Sequence, residues 1–389
     1  MKILYLTTVL PSRKRTGGEI ASQSFIKALK YCGHEVLVLG YQRFGDTNSQ
    51  NENEVEIEKR YIETEKSKYH SFLWMALSFL KRLPYSAAKY YSKKYFQQIR
   101  NILQLGQYEI IIIDHAQLGW LLPLLNIKSK VIFIAHNVEH QLYESQLQNA
   151  QKYLSKYIYK REANLIKKME DNLAISAKQV WTLTSHDANY FYTQNQTSQV
   201  FHLPSSWTIA PKNSVTKNCD IGIIGSWTWK ANKSGLEWFF KAVYPYLPKN
   251  ISIHVAGSGA KWLLERYPNV KYCGFVTAAQ AFMALAKVIA NPSISGGGIQ
   301  IKTLDAIASG SPIVATTIAM RGIYDYPSAI KIADESETFA LSLMQLLAFN
   351  KKSHLHEAER AKLLNNRLTW SLLRREHFYK SVKSAINSV

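Results

Sequence analysis

Ser295-Gly296-Gly297-Gly298-Ile299-Gln300-Ile301-Lys302-Thr303-Leu304-Asp305-Ala306-Ile307-Ala308-Ser309-Gly310-Ser311-Pro312-Ile313-Val314-Ala315-Thr316 decides how this chain folds. It reads as a glycine turn, an amphipathic helix, a Gly-Ser-Pro stop and a buried strand. Three successive glycines let the backbone approach a ligand with no Cβ in the way. A helix starting there offers unpaired N–H groups and a positive dipole end, which suit phosphates or sugar hydroxyls. Lys302 adds a positive charge in the first turns. Asp305 follows it by three residues, so the two share a face. Gly310 and then Pro312 end the helix. The set suits a nucleoside diphosphate: amides and Lys302 for the phosphates, Asp305 for ribose hydroxyls. An ordinary strand-turn-helix-turn-strand unit of an α/β protein has the same local pattern.

The flanking segments continue the α/β design. Val288-Ile289-Ala290-Asn291-Pro292 is a strand leading into the glycine turn. Asp220 to Trp227 opens a sheet, Ile253 to Gly259 is a strand with a small-residue turn, and Val270 to Val276 is another strand. In the first half, residues 3–10 form a strand, Gly17-Gly18 follow, Glu19 to Tyr31 forms a helix and 35–40 a second buried strand. That is a βαβ unit. Its loop is not GxGxxG and no acidic residue ends its second strand, which argues against an NAD site. Residues 46–66 read as a loop with an edge strand, and 141–173 as one long charged helix. Tyr108 to Asp114 and Lys130 to Asn137 are central strands with polar groups at their carboxyl ends, where open α/β sheets place ligands. A polar linker from Pro204 to Asn218, containing Pro211, marks a boundary. The expected domains are 1–205 and 218–370, with 371–389 as a returning C-terminal helix.

At 389 residues the chain is long enough for two cores, and its 47% hydrophobic content is that of a globular protein. No apolar run is long enough for a transmembrane helix. The apolar start of the chain is followed by Pro11, three basic residues and Gly17-Gly18, with no small-residue cleavage site, so it reads as a first strand. Three dispersed cysteines, with no pair at metal spacing, suit a reducing cytoplasm and argue against zinc. The formal charge of +20 draws the chain to polyanions. No zinc-finger spacing, basic zipper or RNP pattern accompanies it, so nucleic acid is not the expected partner.

Residues 67–104 carry seven Lys or Arg and no Asp or Glu. An apolar segment, 72–80, precedes Tyr85, Tyr90, Tyr91, Tyr95 and Phe96 set among lysines, and Pro84 divides the region into two helices. Basic, aromatic, amphipathic helices suit an anionic membrane surface. The competing reading packs the aromatics into a core and leaves the lysines as a solvated face.

The glycine turn and its helix resemble the donor-site signature of retaining glycosyltransferase family 4. That family has a glycine-rich turn and a Glu-Ala-hydrophobic-Ala-x-Gly-x-Pro-hydrophobic-Val run, which stands here as Asp305 to Val314. A bacterial sugar-transferase subgroup reading Gly-Gly-Gly-Thr-Arg-Leu-Lys-Ile-Leu-Glu-Ala is closer, matching Gly296, Gly297, Gly298, Lys302 and Leu304. Gly225 to Phe239 resembles that subgroup's Gly-Ser-x-x-Trp-x-Pro-Asn-x-x-Gly/Ala-hydrophobic-x-Trp-Phe run, and His136-Asn137-Val138-Glu139 the family's His-Asn-x-Glu segment. The resemblance implies a GT-B fold: two Rossmann-like doubly wound α/β domains facing a cleft, with a C-terminal helix, from about Ser353 to Ser388, crossing back to the first.

It also implies a site. His136, Lys233 and Lys302 would be catalytic. Gly17, Gly18, Ser226, Lys230, Gly274, Phe275, Val276, Gly297, Gly298, Ile299, Gln300 and Asp305 would hold the donor. His136 lies near the donor sugar in the resemblance, the 274–276 backbone holds the base, and either Lys230 or Lys233 supplies a diphosphate-binding lysine. There are departures. Asp305 stands for a glutamate, Gly297 for the first glutamate of the broad family, Gln300 for the subgroup's Arg, and Ser226 for a diphosphate-binding Arg.

The implied activity is a retaining, metal-independent hexosyl transfer from a nucleotide-sugar to a glycan or lipid-linked acceptor in bacterial surface polysaccharide or glycoconjugate synthesis. The nucleotide-sugar is a substrate, and no cofactor is expected. The chain contains no Asp-x-Asp, so amides, helix dipoles and lysines must meet the leaving-group charge. No carboxylate pair suggests a covalent intermediate. The expected location is cytoplasmic, peripheral at the inner face of the membrane. A non-catalytic nucleotide-sugar-binding or scaffold member on the membrane is the alternative.

Overall fold

The computed structural model describes residues 1–14, 16–46, 51–62, 67–125, 130–206, 216–324, 326–327, 330–349 and 355–389. It divides into two compact units, Met1–Leu203 with His377–Val389, and Pro204–Glu376. Most of the linker, including Pro211, lies outside the described residues.

Unit 1 is a seven-stranded parallel sheet in the order β3-β2-β1-β4-β5-β6-β7. Its strands are β1 (Lys2–Val9), β2 (Glu35–Arg43), β3 (Glu54–Arg60), β4 (Ile110–Asp114), β5 (Lys130–Ala135), β6 (Gln179–Thr182) and β7 (Ser198–Val200). Central strands such as β4 are buried along their whole length, as befits a sheet covered on both faces. Its helices are α1 (Gly17–Tyr31), α2 (Lys68–Lys81), α3 (Tyr85–Ala88), α4 (Lys93–Leu105), α5 (Glu139–Gln148), α6 (Tyr153–Ser176) and α7 (Ser185–Tyr192). The expected edge strand is β3. The expected long helix over 141–173 is two, α5 and α6. The Glu170 carboxylate of α6 accepts from the Glu139 amide at 2.9 Å and the His140 amide at 3.4 Å, satisfying the start of α5.

Unit 2 is a six-stranded parallel sheet in the order β10-β9-β8-β11-β12-β13. The strands are β8 (Cys219–Ile224), β9 (Ile253–Ala256), β10 (Val270–Gly274), β11 (Ala286–Asn291), β12 (Ile313–Ala315) and β13 (Ile330–Ile332). The helices are α8 (Lys230–Trp238), α9 (Ala279–Leu285), α10 (Ile301–Ala308), α11 (Ser336–Phe349) and α12 (Leu355–Asn387). Ile221, Ile223, Val255, Val288 and Val314 pack against Leu236, Phe239, Phe339 and Leu343.

The end of α12 belongs to unit 1. Phe378 lies 5.1 Å from Phe25 of α1, ring centre to ring centre, and Gln179 of β6 donates to the Ala385 carbonyl at 3.0 Å. Two parallel α/β sheets and a C-terminal helix on α1 are the fold class expected from the sequence. No described helix is long and apolar enough to cross a membrane.

Candidate functional site

In unit 2 the strand order reverses direction between β8 and β11, the place where open α/β sheets bind ligands beyond their carboxyl ends. The carboxyl ends of the strands carry the expected donor residues: Ser226 after β8, Gly274 ending β10 with Phe275 and Val276 after it, and the glycine turn after β11. Gly296 (φ +121°) and Gly298 (φ +62°) adopt backbone angles that disfavour a side chain; Gly297 does not. Arg321 donates to the Gly296 carbonyl at 2.5 Å and fixes the turn from its far side. Ile299 leads to Gln300, whose side-chain oxygen accepts from Ser293 at 2.8 Å. No side chain caps α10; the Thr303 and Leu304 amides turn back to the Gln300 carbonyl, and those of Ile301 and Lys302 stay available.

The expected amphipathic helix is α10, but it is buried nearly all round, with only Lys302 partly open. It is a core helix presenting its amino end. Thr303 anchors it, accepting from Asn291 and donating to the Ala319 carbonyl. Lys302 reaches Asn232 of α8 at 3.4 Å and lies over the Trp227 ring at 5.8 Å. No described carboxylate forms an ion pair with it. Burial pushes its pKa down to about 8. A desolvated ammonium beside a glycine turn and an open helix end has the chemistry to receive a phosphate.

The shared face expected for Lys302 and Asp305 does not become an ion pair. Asp305 turns to Ser206, accepting from its amide and its hydroxyl at 2.7 Å each. Lys230 and Lys233 are both exposed, and Lys233 faces Glu237 at 4.0 Å. Ser226 is exposed, and its carbonyl accepts from Asn232 at 3.0 Å. Phe275 stands 71% exposed beyond β10, free to stack on a planar ligand.

In unit 1 the reversal falls between β1 and β4. Gly17 and Gly18 are the first residues of α1 and not a preceding loop, with Thr16 as the cap accepting from the Glu19 amide at 3.3 Å. Asp114, fully buried at the end of β4, takes hydrogen bonds from Tyr5 at 2.9 Å and from Ser22 on one oxygen. Its other oxygen lies 2.7 Å from His136 Nε2 and 3.3 Å from His115 Nδ1. The two imidazoles stack with centroids 4.0 Å apart. A Cβ on Gly18 would lie 3.3 Å from His115 Nε2 and 4.0 Å from His136 Nδ1. The glycine therefore leaves room in front of both rings.

Burial pushes the Asp114 carboxyl up, but the two histidines outweigh it and hold it far below the ordinary range. Burial lowers His115 as well, yet the carboxylate raises it more, so it is shifted up. Burial and the charge of His115 lower His136 by more than Asp114 raises it. A neutral His136 facing an ionised carboxylate must donate from Nε2, which leaves Nδ1 as an acceptor on the Gly18 side. His115 adopts φ +86°, a strained angle for a residue with a side chain.

Residues 218–348, most of the second unit, match the family described as glycosyl transferases group 1. This part of the chain carries the group 1 glycosyltransferase domain. An "uncharacterized 44.6 kDa protein in cps region" of Klebsiella pneumoniae is 22% identical to this chain over 393 residues, 92% of this chain and 96% of that one. Its fold is GT-B. A sucrose-phosphate synthase of Thermosynechococcus elongatus matches 100% of the chain and 98% of its own length, with TM-score 0.68 at 13% identity. HepE of Anabaena, solved with UDP and glucose, matches over 100% of both chains, with TM-score 0.64 at 15% identity.

Sequence reasoning gave no role to Asp114, His115 or Arg321. His115 and His136 are separated by a strand and a crossover, and only the parallel pairing of β4 with β5 stacks them. With Asp114 they bring three potential metal-ligand atoms within 4.8 Å of one another, a cluster their sequence spacing conceals. The 2.7 Å contact between Asp114 and His136 already accounts for that pair as a hydrogen bond.

Proposed function

We propose that this glycosyltransferase moves a hexose from a nucleotide-sugar to a glycan or lipid-linked acceptor, with retention and without a metal, in bacterial surface polysaccharide synthesis. The observation that carries the reading is Lys302: a desolvated ammonium with no described carboxylate partner, beside Gly296 to Gly298 and the open end of α10. Lys302, the α10 amides, Gly297, Gly298, Ile299 and Gln300 hold the diphosphate. Ser226 and one of Lys230 or Lys233 flank it, Phe275 stacks on the base beside the Gly274 and Val276 backbone, and Asp305 exchanges Ser206 for ribose hydroxyls. His136, kept neutral by its surroundings, accepts from a sugar hydroxyl through Nδ1, on the side of Gly17 and Gly18.

In the reaction the bond from the anomeric carbon to phosphate oxygen breaks. The acceptor oxygen bonds the same face of that carbon, and its proton passes to the departing phosphate. Lys302 and the helix amides stabilise the charge that develops on the leaving group. Anabaena HepE was solved with UDP-glucose, which makes uridine diphosphate sugars the first donors to try. The cps-region relative supports a polysaccharide product, and the +20 charge supports work at an anionic membrane.

A second reading, nucleotide-sugar binding without turnover, has its own support. Both Asp305 oxygens are occupied by Ser206, and serine replaces the diphosphate arginine at 226. Slow donor hydrolysis across a panel of nucleotide-sugars separates the two. Release of free sugar and nucleoside diphosphate supports catalysis, and binding with no release supports the second reading.

A further inference from the structure

Helix α2 is apolar on two opposite sides. Trp74 and Ser78 point into unit 1. Tyr69 (69% exposed), Phe72 (72%), Leu73 (43%) and Leu80 (81%) form a stripe at helical spacing that faces water, with Phe79 (52%) at its margin. A helix apolar all round is ordinarily buried all round. Burial of α2 on one side only leaves a face that nothing in the described chain covers.

The face continues on a second helix whose sequence did not announce it. Arg161 of α6 donates to the Ser78 hydroxyl and carbonyl at 3.0 and 2.9 Å and lies 4.2 Å from the Phe79 ring. This joins the start of α6 to the end of α2. There Tyr153 is 91%, Leu154 71% and Tyr157 64% exposed. Exposed cations rim the patch: Lys81 at the end of α2 and Arg82 just after it, Lys152 just before α6, and Lys156 and Lys160 within it. No acidic residue occurs in 67–104 or in 145–161. Aromatic and leucine side chains ringed by lysines, without a carboxylate among them, complement anionic headgroups over an acyl layer. A protein partner would need its own acidic rim, and a second copy of this face would set cation against cation.

We propose that unit 1 docks on an anionic lipid bilayer through the face formed by α2 and the first turns of α6. The proposal rests on the membrane reading above and replaces its location. The aromatics expected to lie on the membrane within 85–96 mostly turn inward. Tyr95 is fully buried and bonds the Thr7 and Leu39 carbonyls at 2.9 and 3.0 Å, while Lys89 lies over the Tyr90 and Trp74 rings.

The test is co-sedimentation of the full chain with phosphatidylcholine vesicles, with and without phosphatidylglycerol. Wild type should bind only the anionic vesicles, and less as salt rises. The K152E/K156E/K160E variant should partition on the order of a hundredfold more weakly, at about 1 kcal/mol for each lysine lost near the surface. F72S/L80S/Y153S should also be released. K241E/K249E/K261E, on exposed positions of unit 2, should bind like wild type. All these positions are exposed, and unchanged thermal melting verifies the fold of each variant. Equal binding by wild type and both face variants overturns the assignment of the face and leaves the membrane reading standing. A wild type that binds neither vesicle overturns both. A wild type that binds neither vesicle but self-associates until F72S/L80S/Y153S makes it monomeric identifies the face as a protein contact instead.

Discussion

Asp114 holds His136 by a 2.7 Å hydrogen bond to Nε2, at a point where the same carboxylate is claimed by His115, Tyr5 and Ser22. An ionised carboxylate accepts only, so this contact selects the imidazole tautomer. Asp114→Asn presents an amide that can offer N–H to the ring and so reverse the polarity. Turnover should fall about a hundredfold, the scale of a misoriented group, while nucleoside diphosphate affinity stays within twofold or so of wild type. An equal loss of affinity and turnover would show a disturbed fold instead of a lost tautomer. Because His136 is shifted below its ordinary 6.5, the acid limb of kcat/KM should lie below that pH.

Lys302 gives a pH dependence of binding. Its pKa in the free protein is pushed down to about 8 by burial, and a bound diphosphate must raise it. The affinity gained from the charge is therefore complete below about pH 8 and lost as pH rises through the bound-state value, by up to about tenfold per pH unit. Lys302→Met should cost about 1–3 kcal/mol of nucleoside diphosphate affinity at neutral pH and abolish that slope. Calorimetric titration from pH 7 to about 10 measures both. A slope unchanged in the variant would move the effect to another group.

Asp305 and Ser206 allow two roles to be separated. If the carboxylate exchanges Ser206 for ribose hydroxyls, Asp305→Ala should weaken nucleotide binding by about 1–3 kcal/mol. Ser206→Ala, which removes a competing donor, should leave affinity equal or slightly better. If Asp305 only anchors Ser206, its removal should lower thermal stability with no change in nucleotide affinity.

Turnover should survive EDTA. The Asp114, His115 and His136 cluster is the described group best able to hold a metal, so chelation also tests whether its hydrogen bonds are sufficient. Activity lost on chelation and restored by Mn²⁺ or Mg²⁺ would assign that cluster, or another, a metal.

The two-sheet fold was legible because buried parallel strands leave continuous apolar runs, as in Ile110 to Ile113 and Val131 to Ala135, punctuated by glycine loops. The glycine turn was legible because positive φ at Gly296 and Gly298 demands that residue. Other features depend on three-dimensional placement. The apolar pattern of α10 fits a half-buried helix as well as the fully buried one observed. The bond from Asp305 to Ser206 spans 99 positions in sequence, and the joining of α2 to α6 rests on Arg161 and Ser78, 83 apart. Hydrophobic periodicity locates elements but does not say which of two apolar sides of α2 meets the core.

The central claim is sugar transfer driven from the diphosphate site around Lys302. The most direct measurement is nucleoside diphosphate release from a panel of nucleotide-sugars, with UDP-glucose first, in the presence of a membrane or polysaccharide extract as acceptor source. NMR of the product's anomeric proton accompanies it. Release should occur on at least one donor, the product should carry the donor's anomeric configuration, and Lys302→Met should lose the release. A donor that binds the wild type tightly but is neither transferred nor hydrolysed, across the whole panel, would contradict it.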